Sequence, residues 1–203
     1  MKAKRLFLVF VIIASAITVS AQVNLGVKGG INMSNIYGSD VSDTKAKVGF
    51  HAGILADYEF LYNSAIQTGI FFTTKGFKVD DEEDNMTVNA MYLQLPLHYA
   101  YKLDVSPGTR IVFHGGPYAA YGIGGKITNG GEMDTFGDEG FFERFDAGLG
   151  IGVGAEFGAI LLDIGWDMGL VDIINEDFLG ADIGADFGSV KNQNAYLSIG
   201  YKF

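Results

Sequence analysis

The sequence predicts an all-β fold, an eight-stranded antiparallel up-and-down β-barrel that spans a membrane. Eight segments alternate apolar and polar residues at the period of a strand, and no useful helical period follows residue 22. The connections between these segments alternate between short and long, as in bacterial outer-membrane barrels. The last segment ends the chain on an aromatic residue, Phe203.

The first strand is predicted soon after the start of the chain and the eighth at its end. The predicted strands span about 23–33, 47–58, 65–75, 90–103, 109–124, 144–157, 160–170 and 194–203. The short connections fall near 59–64, 104–108 and 158–159, and the long ones near 34–46, 76–89, 125–143 and 171–192. An even strand number places both termini on one side, which we expect to be the periplasm.

The N-terminal segment 1–21 is predicted to be a secretory signal peptide, followed by one barrel domain over 22–203. Lys2, Lys4 and Arg5 precede an apolar run of about 14 residues, and Val19-Ser20-Ala21 resembles a cleavage site. The alternative is a membrane anchor, for which the run is short, because a spanning helix needs roughly 20 residues.

Composition excludes several classes of function. Without residues 1–21 the chain keeps 11 Lys and Arg against 24 Asp and Glu, a formal charge of −13. Such a balance argues against nucleic acid as a partner, because phosphate contacts need basic groups. The absence of Cys excludes disulfides, thiolate catalysis and Cys-based zinc sites.

The sixth predicted strand, about 144–157, indicates which face meets lipid. One face is apolar throughout, and the other carries Asp146, four glycines at alternate positions and Glu156. Glycines make a poor hydrated surface but suit the crowded interior of a narrow barrel. We therefore expect the apolar face to point outward into lipid. A soluble, lipocalin-like periplasmic barrel with an apolar interior is the alternative.

The predicted inward faces carry the candidate site residues, which we expect to form a structural polar network in the lumen. They are Lys28, His51, His98, Arg110, His114, Glu156, Asp163 and Lys202. Pairing about a turn near 106 places His98 opposite His114, and pairing about 159–160 places Glu156 opposite Asp163. Arg110 is expected to neutralise Glu156, since an unpaired buried charge is costly.

Three further hypotheses about function each have a purely structural alternative. Two facing imidazoles, His98 and His114, could share a metal, but no third ligand is evident and a hydrogen-bonded lumen pair is the favoured interpretation. Glu156 and Asp163 could act as an acid and base pair, or simply belong to the charge network. The acidic run 80–84 could bind calcium, but it lacks the ligand spacing of an EF-hand loop. The pattern favours a solvated loop tip.

The chain resembles the PorT-like outer-membrane β-barrel family of Bacteroidota. The resemblance rests on residues 25–34 (LGVKGGINMS), 49–53 (GFHAG), 92–97 (YLQLPL), 115–118 (GGPY) and 197–203 (LSIGYKF). Members usually carry Glu where Gln94 stands here, and often an acidic residue in place of His114. The resemblance implies an outer-membrane barrel and supplies no catalytic residues.

The sequence therefore predicts a monomeric, non-catalytic outer-membrane barrel with a packed polar lumen and without a cofactor. Its expected partners are outer-membrane lipid, the barrel assembly machinery, and an unknown surface ligand or envelope protein that contacts the long connections. Tyr201 and Phe203 are predicted to serve as the assembly signal and as aromatic anchors at the lipid boundary. The alternative in another class is an outer-membrane enzyme that acts on lipid or peptide through the inward histidines and carboxylates.

Overall fold

The computed structural model describes residues 23–38, 44–80, 85–129, 131–136, 140–174 and 189–203. The predicted signal peptide and residues 81–84 of the acidic run lie outside these ranges. The strands are β1 (Val23–Gly38), β2 (Thr44–Leu61), β3 (Ser64–Asp80), β4 (Asn85–Ser106), β5 (Thr109–Thr128), β6 (Glu132–Asp134), β7 (Phe145–Phe157), β8 (Ile160–Gly169) and β9 (Val190–Lys202). The described residues contain no helix that is long and apolar enough to cross a membrane.

Eight of these strands close into an antiparallel barrel, which confirms the predicted fold class. β1 pairs with β2 on one side and with β9 on the other, so that Val27 lies between Ile54 and Tyr201. β4 pairs with β5, and the pairings between the other neighbours complete the ring. The short strand β6 pairs only with the end of β5 and lies outside the ring. Closure removes the open strand edges that a membrane does not tolerate.

The two ends of the barrel differ in the length of their connections. At the short-turn end, two-residue turns lie at 62–63, 107–108 and 158–159. Gly108 and Gly158 take positive φ angles of 76° and 59°, which glycine adopts without strain. At the long-connection end, β3 and β4 continue their pairing as far as Asp80 and Asn85. The strands exceed their predicted bounds here because backbone pairing persists after the outward face stops being apolar.

The apolar face of each strand points out of the barrel, as predicted. The Ile151 side chain is 66% exposed, and Ile54 and Ile199 are also exposed. Polar neighbours on the same strands, such as His51 and Ser198, are buried inside. This arrangement is the reverse of a soluble barrel, and it leaves a belt of apolar side chains that suits contact with lipid.

An apolar cluster, here called the apolar cap, fills the long-connection end of the barrel. It joins strand residues such as Phe77, Val88 and Tyr92 to Phe136 and Ile173, which lie beyond the strand ends. The Tyr92 and Phe136 rings meet edge to face, with centroids 5.3 Å apart. The remaining buried members are Ile36, Ala90, Tyr118, Ala120, Ile127, Phe142 and Val190.

Candidate functional site: the barrel lumen

Six ionised side chains meet inside the short-turn end, and we call them the ion-pair cluster. Its members are Asp57, Glu59, Lys102, Arg110, Glu156 and Lys202. Lys102 Nζ lies 2.7 Å from Asp57 Oδ2 and 2.7 Å from Glu59 Oε1. Lys202 Nζ lies 2.6 Å from Asp57 Oδ2 and 2.5 Å from Glu156 Oε1. Three carboxylates and three cations balance each other, which is the condition under which buried charges are tolerated.

Arg110 links two carboxylates of the ion-pair cluster. It is the direct ladder partner of Glu156, and its Nη2 atom lies 2.6 Å from Glu156 Oε2. The same guanidinium donates to both carboxylate oxygens of Glu59, at 3.2 and 3.0 Å. The structure thus places Arg110 beside the partner expected from sequence. It adds Glu59, which the sequence placed in a connection because β2 was predicted to end at residue 58.

A second chain of polar contacts crosses the middle of the lumen. Lys28 Nζ donates to Asp163 Oδ2 at 2.7 Å, and His114 Nε2 lies 2.9 Å from the other oxygen of the same carboxylate. His114 Nδ1 lies 3.0 Å from His98 Nδ1, and the two rings are stacked with centroids 5.2 Å apart. The four side chains therefore form one connected relay rather than two separate pairs.

The register of two hairpins differs from the predicted one. His114 lies opposite Ala100 rather than His98, and Asp163 lies opposite Gly154 rather than Glu156. The two-residue turns at 107–108 and 158–159 shift each pairing by two residues, and turn geometry fixes register. The histidines still meet as diagonal neighbours. Glu156 and Asp163 instead belong to different groups, so they do not form the hypothesised acid and base pair.

Glycines of β7 provide the space for the histidine rings. A Cβ atom on Gly152 would lie 2.5 Å from His114 Cε1, and one on Gly150 would lie 2.8 Å from His98 Nε2. These separations are far below ordinary contact distances. Glycines at alternate positions of β7 therefore leave space for side chains from the nearby strands β4 and β5, as a narrow lumen requires.

Replacing Gly152 with Ala is expected to destabilise the folded barrel by about 1–3 kcal/mol, the usual cost of forcing extra volume into a packed interior. The new methyl group must displace the His114 ring or the Ile164 carbonyl, 2.8 Å away. Urea unfolding in detergent measures the change. Gly124→Ala is the matched control, because nothing lies within 4 Å of a Cβ there. Equal stability of the two variants would show that Gly152 is not needed to make space for the His114 ring.

His51 has a partner that the sequence did not indicate. Its Nε2 atom lies 2.8 Å from Ser198 Oγ, and both side chains are buried in the lumen. The two residues come from β2 and β9, which are far apart in sequence, so spacing gave no signal. Among the described residues no carboxylate is hydrogen-bonded to the His51 ring, so the pair lacks the orienting acid of a catalytic triad.

A third polar group lies between the relay and the apolar cap. Lys75 Nζ donates to Asp146 Oδ2 at 2.9 Å and lies over the rings of Tyr118 and Tyr92, 4.7 and 5.3 Å from their centroids. Asn192 also donates to Asp146, at 3.0 Å. This buried pair is stabilised on all sides by hydrogen bonds and cation–π contacts.

Within the described ranges, no three His, Asp or Glu side chains are grouped so that they could hold a metal ion. At the seam, Phe203 N donates to Leu25 O at 2.8 Å, and the Tyr201 and Phe203 rings pack edge to face with centroids 5.9 Å apart. Both rings are exposed on the outside, at the short-turn end.

Several solved structures are similar in shape to this chain, whereas no curated protein matches it in sequence. Neisserial surface protein A is 12% identical, with 88% of this chain and 97% of that chain covered and a TM-score of 0.50. Ail, the attachment invasion locus protein of Yersinia pestis, is 15% identical, with coverages of 89% and 98% and a TM-score of 0.48. Identities this low show similarity of fold alone.

The sequence also matches a described protein family over most of its length. The match covers residues 16–175, which include β1 to β8 of the barrel. The family is the one described as the outer membrane protein beta-barrel domain. This family description agrees with the closed ring of strands and with the apolar belt on its outer face. The chain therefore belongs to the outer membrane protein beta-barrel domain family.

Proposed function

We propose that this outer-membrane barrel is non-catalytic, that its lumen is closed to solutes, and that its long connections contact a surface ligand or an envelope protein. The observation that supports the proposal is that a cluster of contacting side chains lies at each end of the lumen. The apolar cap fills one end, and the ion-pair cluster crosses the other. Between them lie the buried Lys75–Asp146 pair and the histidine relay.

Planar-bilayer recording tests the closed lumen. We expect the purified barrel to give no discrete conductance steps, because a solute would have to displace the apolar cap and separate several buried ion pairs. Eight-stranded barrels have interiors that side chains fill, whereas porins with an aqueous channel have about 16 strands. Reproducible steps from folded wild-type protein would contradict the proposal.

The absence of catalysis is supported by the position of the candidate groups. His98, His114 and the His51–Ser198 pair all face the lumen, whereas lipid substrates contact the outer wall. We expect no turnover of phospholipid or peptide by the barrel in detergent. Turnover that disappears in a His98→Ala, His114→Ala double variant would establish the alternative function as an envelope enzyme.

The charge of the long connections supports a role in surface contacts. The four predicted long connections contain 17 of the 24 acidic residues but only four of the 11 Lys and Arg residues outside the predicted signal peptide. They therefore carry the whole net negative charge of the barrel domain. Such a surface attracts basic ligands at a distance and repels acidic ones, more strongly at low ionic strength.

The proposed orientation places the long connections outside the cell and both termini in the periplasm. An epitope inserted between residues 82 and 83 is expected to bind antibody on intact cells. The same epitope inserted in the turn 107–108 is expected to bind only after the outer membrane is permeabilised. The reverse pattern would place the acidic connections in the periplasm and would exclude a surface role for them.

We also propose the narrower identity that the sequence suggests, a monomeric PorT-like barrel of Bacteroidota. Its support is the set of matching stretches in β1, β2, β4, β5 and β9. We infer that the barrel assembly machinery binds the end of β9, with Tyr201 and Phe203 as the recognised aromatics. A variant without Phe203 that reaches the outer membrane as efficiently as the intact chain would contradict this assembly role.

A further inference from the structure

Asp167 is a buried carboxylate that makes no salt bridge with any residue that the structure describes. It lies on the inward face of β8 and is 3% exposed. Gln94 Nε2 donates to Asp167 Oδ2 at 2.9 Å. The neighbouring carboxylates Asp146 and Asp163 each make a salt bridge with a lysine, whereas Asp167 makes none with the described residues. An uncompensated buried carboxylate is costly, so its surroundings should supply positive charge or a proton.

Two hydrogen-bond acceptors near Asp167 also lack partners. Gln94 Oε1 and His98 Nε2 are both buried and have no hydrogen-bond partner among the described groups. The amide group of Gln94 must keep its oxygen as an acceptor, because its nitrogen donates to Asp167. Neither atom accepts a hydrogen bond from the described part of the chain, so each can accept one from a bound molecule.

The hydrogen bonds of the relay assign His98 Nε2 as an acceptor. In the tautomer in which His114 Nε2 donates to Asp163, His114 Nδ1 is an acceptor. His98 must then donate from its own Nδ1 to His114 Nδ1, 3.0 Å away. A neutral imidazole has one donor and one acceptor, so the lone pair of His98 remains on Nε2.

These acceptors line one cavity and converge within it. A Cβ atom on Gly150 would lie 2.7 Å from Asp167 Oδ1 and 2.8 Å from His98 Nε2, so these two atoms are no more than 5.5 Å apart. The cavity has a volume of about 90 Å³. A single water needs only roughly 10–15 Å³ on the same measure. Apolar side chains, among them Leu55, Phe71 and Leu161, line the cavity as well.

We propose that this cavity binds a small primary ammonium ion, either ammonium itself or a short alkylammonium. Its N–H groups donate to Asp167, Gln94 Oε1 and His98 Nε2, and a short alkyl chain contacts Leu55, Phe71 and Leu161. Convergent acceptors exclude an anion. An alkali ion fits less well, because it favours oxygen ligands whereas the imidazole lone pair suits an N–H donor.

The charged side chains in the middle of the lumen leave one negative charge, which one bound monovalent cation would balance. Three carboxylates lie between the ion-pair cluster and the apolar cap, namely Asp146, Asp163 and Asp167, against the two lysines Lys28 and Lys75. One monovalent cation makes this part of the described lumen neutral. Glu156 lines the cavity and belongs to the ion-pair cluster, so opening of that cluster is the route of entry.

Equilibrium dialysis of the folded barrel in detergent against radiolabelled methylammonium tests the site, with long incubation to allow slow entry. We expect saturable binding close to one ion per chain. Unlabelled ammonium should compete, whereas tetramethylammonium, which has no N–H group, should not. Competition by sodium or potassium equal to that by ammonium, or no saturable binding, would overturn the proposal.

Asp167→Asn is the decisive variant, because it removes the charge and keeps the shape. It should weaken binding at least about tenfold, the factor for loss of one charged hydrogen bond. Asp104→Asn makes the same change at an exposed position and should bind as wild type does. If Asp167→Asn does not fold, His98→Phe is the second variant. It keeps a ring over Gly150 and removes the Nε2 acceptor, and it should weaken methylammonium binding by the same factor. Wild-type affinity in a folded variant of either kind would overturn the site.

Discussion

Replacing Lys102 with Met is expected to destabilise the folded barrel by about 3–5 kcal/mol, because it removes one cation from a buried, balanced cluster. Lys102 is 1% exposed, and its Nζ atom contacts Asp57, Glu59 and Glu156 at 2.7, 2.7 and 3.4 Å. Without it, three carboxylates share two cations in a space from which water is largely excluded. Urea unfolding in detergent micelles measures the loss.

The matched control is Lys126→Met, the same substitution at an exposed ion pair. The side chains of Lys126 and its partner Glu132 are 58% and 62% exposed, and water screens such pairs. We expect no measurable change in the unfolding midpoint. Adding Glu59→Gln to Lys102→Met restores the charge balance and should recover part of the lost stability. If Lys102→Met proves no worse than the control, the charge balance does not stabilise this end of the barrel.

Replacing Ile151 with Arg is expected to destabilise the barrel in a lipid bilayer by about 2–4 kcal/mol, the cost of an arginine near the bilayer midplane of a barrel wall. Ile151 lies at the centre of β7, and its side chain is 66% exposed on the outer face. In water, an exposed apolar side chain such as this one would not stabilise the fold. The measurement is the free energy of unfolding of the barrel in lipid vesicles.

Met133→Arg is the control for the loss of stability expected in Ile151→Arg. Met133 is also an exposed apolar residue, but it lies on β6, outside the ring of strands and beyond the long-connection end. We expect its replacement to leave stability in vesicles unchanged. A similar loss for both variants would indicate a general effect of arginine, and no loss for Ile151→Arg would show that β7 does not face hydrocarbon.

The fold could be predicted because alternation determines the two faces of every strand. Strand β7 illustrates this, since its outward apolar residues and inward glycines could only suit a narrow barrel in lipid. The bounds at the long-connection end could not be predicted in the same way. There the apolar residues of the β3–β4 hairpin, such as Phe77 and Val88, lie on the inward face and pack in the apolar cap. The outward face carries polar residues such as Lys78 and Thr87, so the outward apolar pattern stops. The three-residue strand β6 is too short to show alternation at all.

The site was only partly predictable because its contacts join strands that are distant in sequence. Arg110 and Glu156 are ladder partners across one strand pair, and their position at the same end of two adjacent strands was enough to predict the contact. The His51–Ser198 contact joins β2 to β9 over Gly30 of β1, which is the ladder partner of both residues. The ion-pair cluster draws on β2, β4, β5, β7 and β9. Such contacts depend on the tilt and stagger of the closed barrel, which no local pattern encodes.

Labelling of the native barrel by a photoactivatable phospholipid in vesicles tests the central claim most directly. Mass spectrometry of the labelled peptides is expected to locate the adducts on outward residues such as Ile54, Ile151 and Ile199. Leu55 and Leu161 are equally apolar but point into the lumen, so they should remain unlabelled. Adducts on Leu55 and Leu161, with the outward isoleucines spared, would contradict a barrel whose apolar face meets lipid.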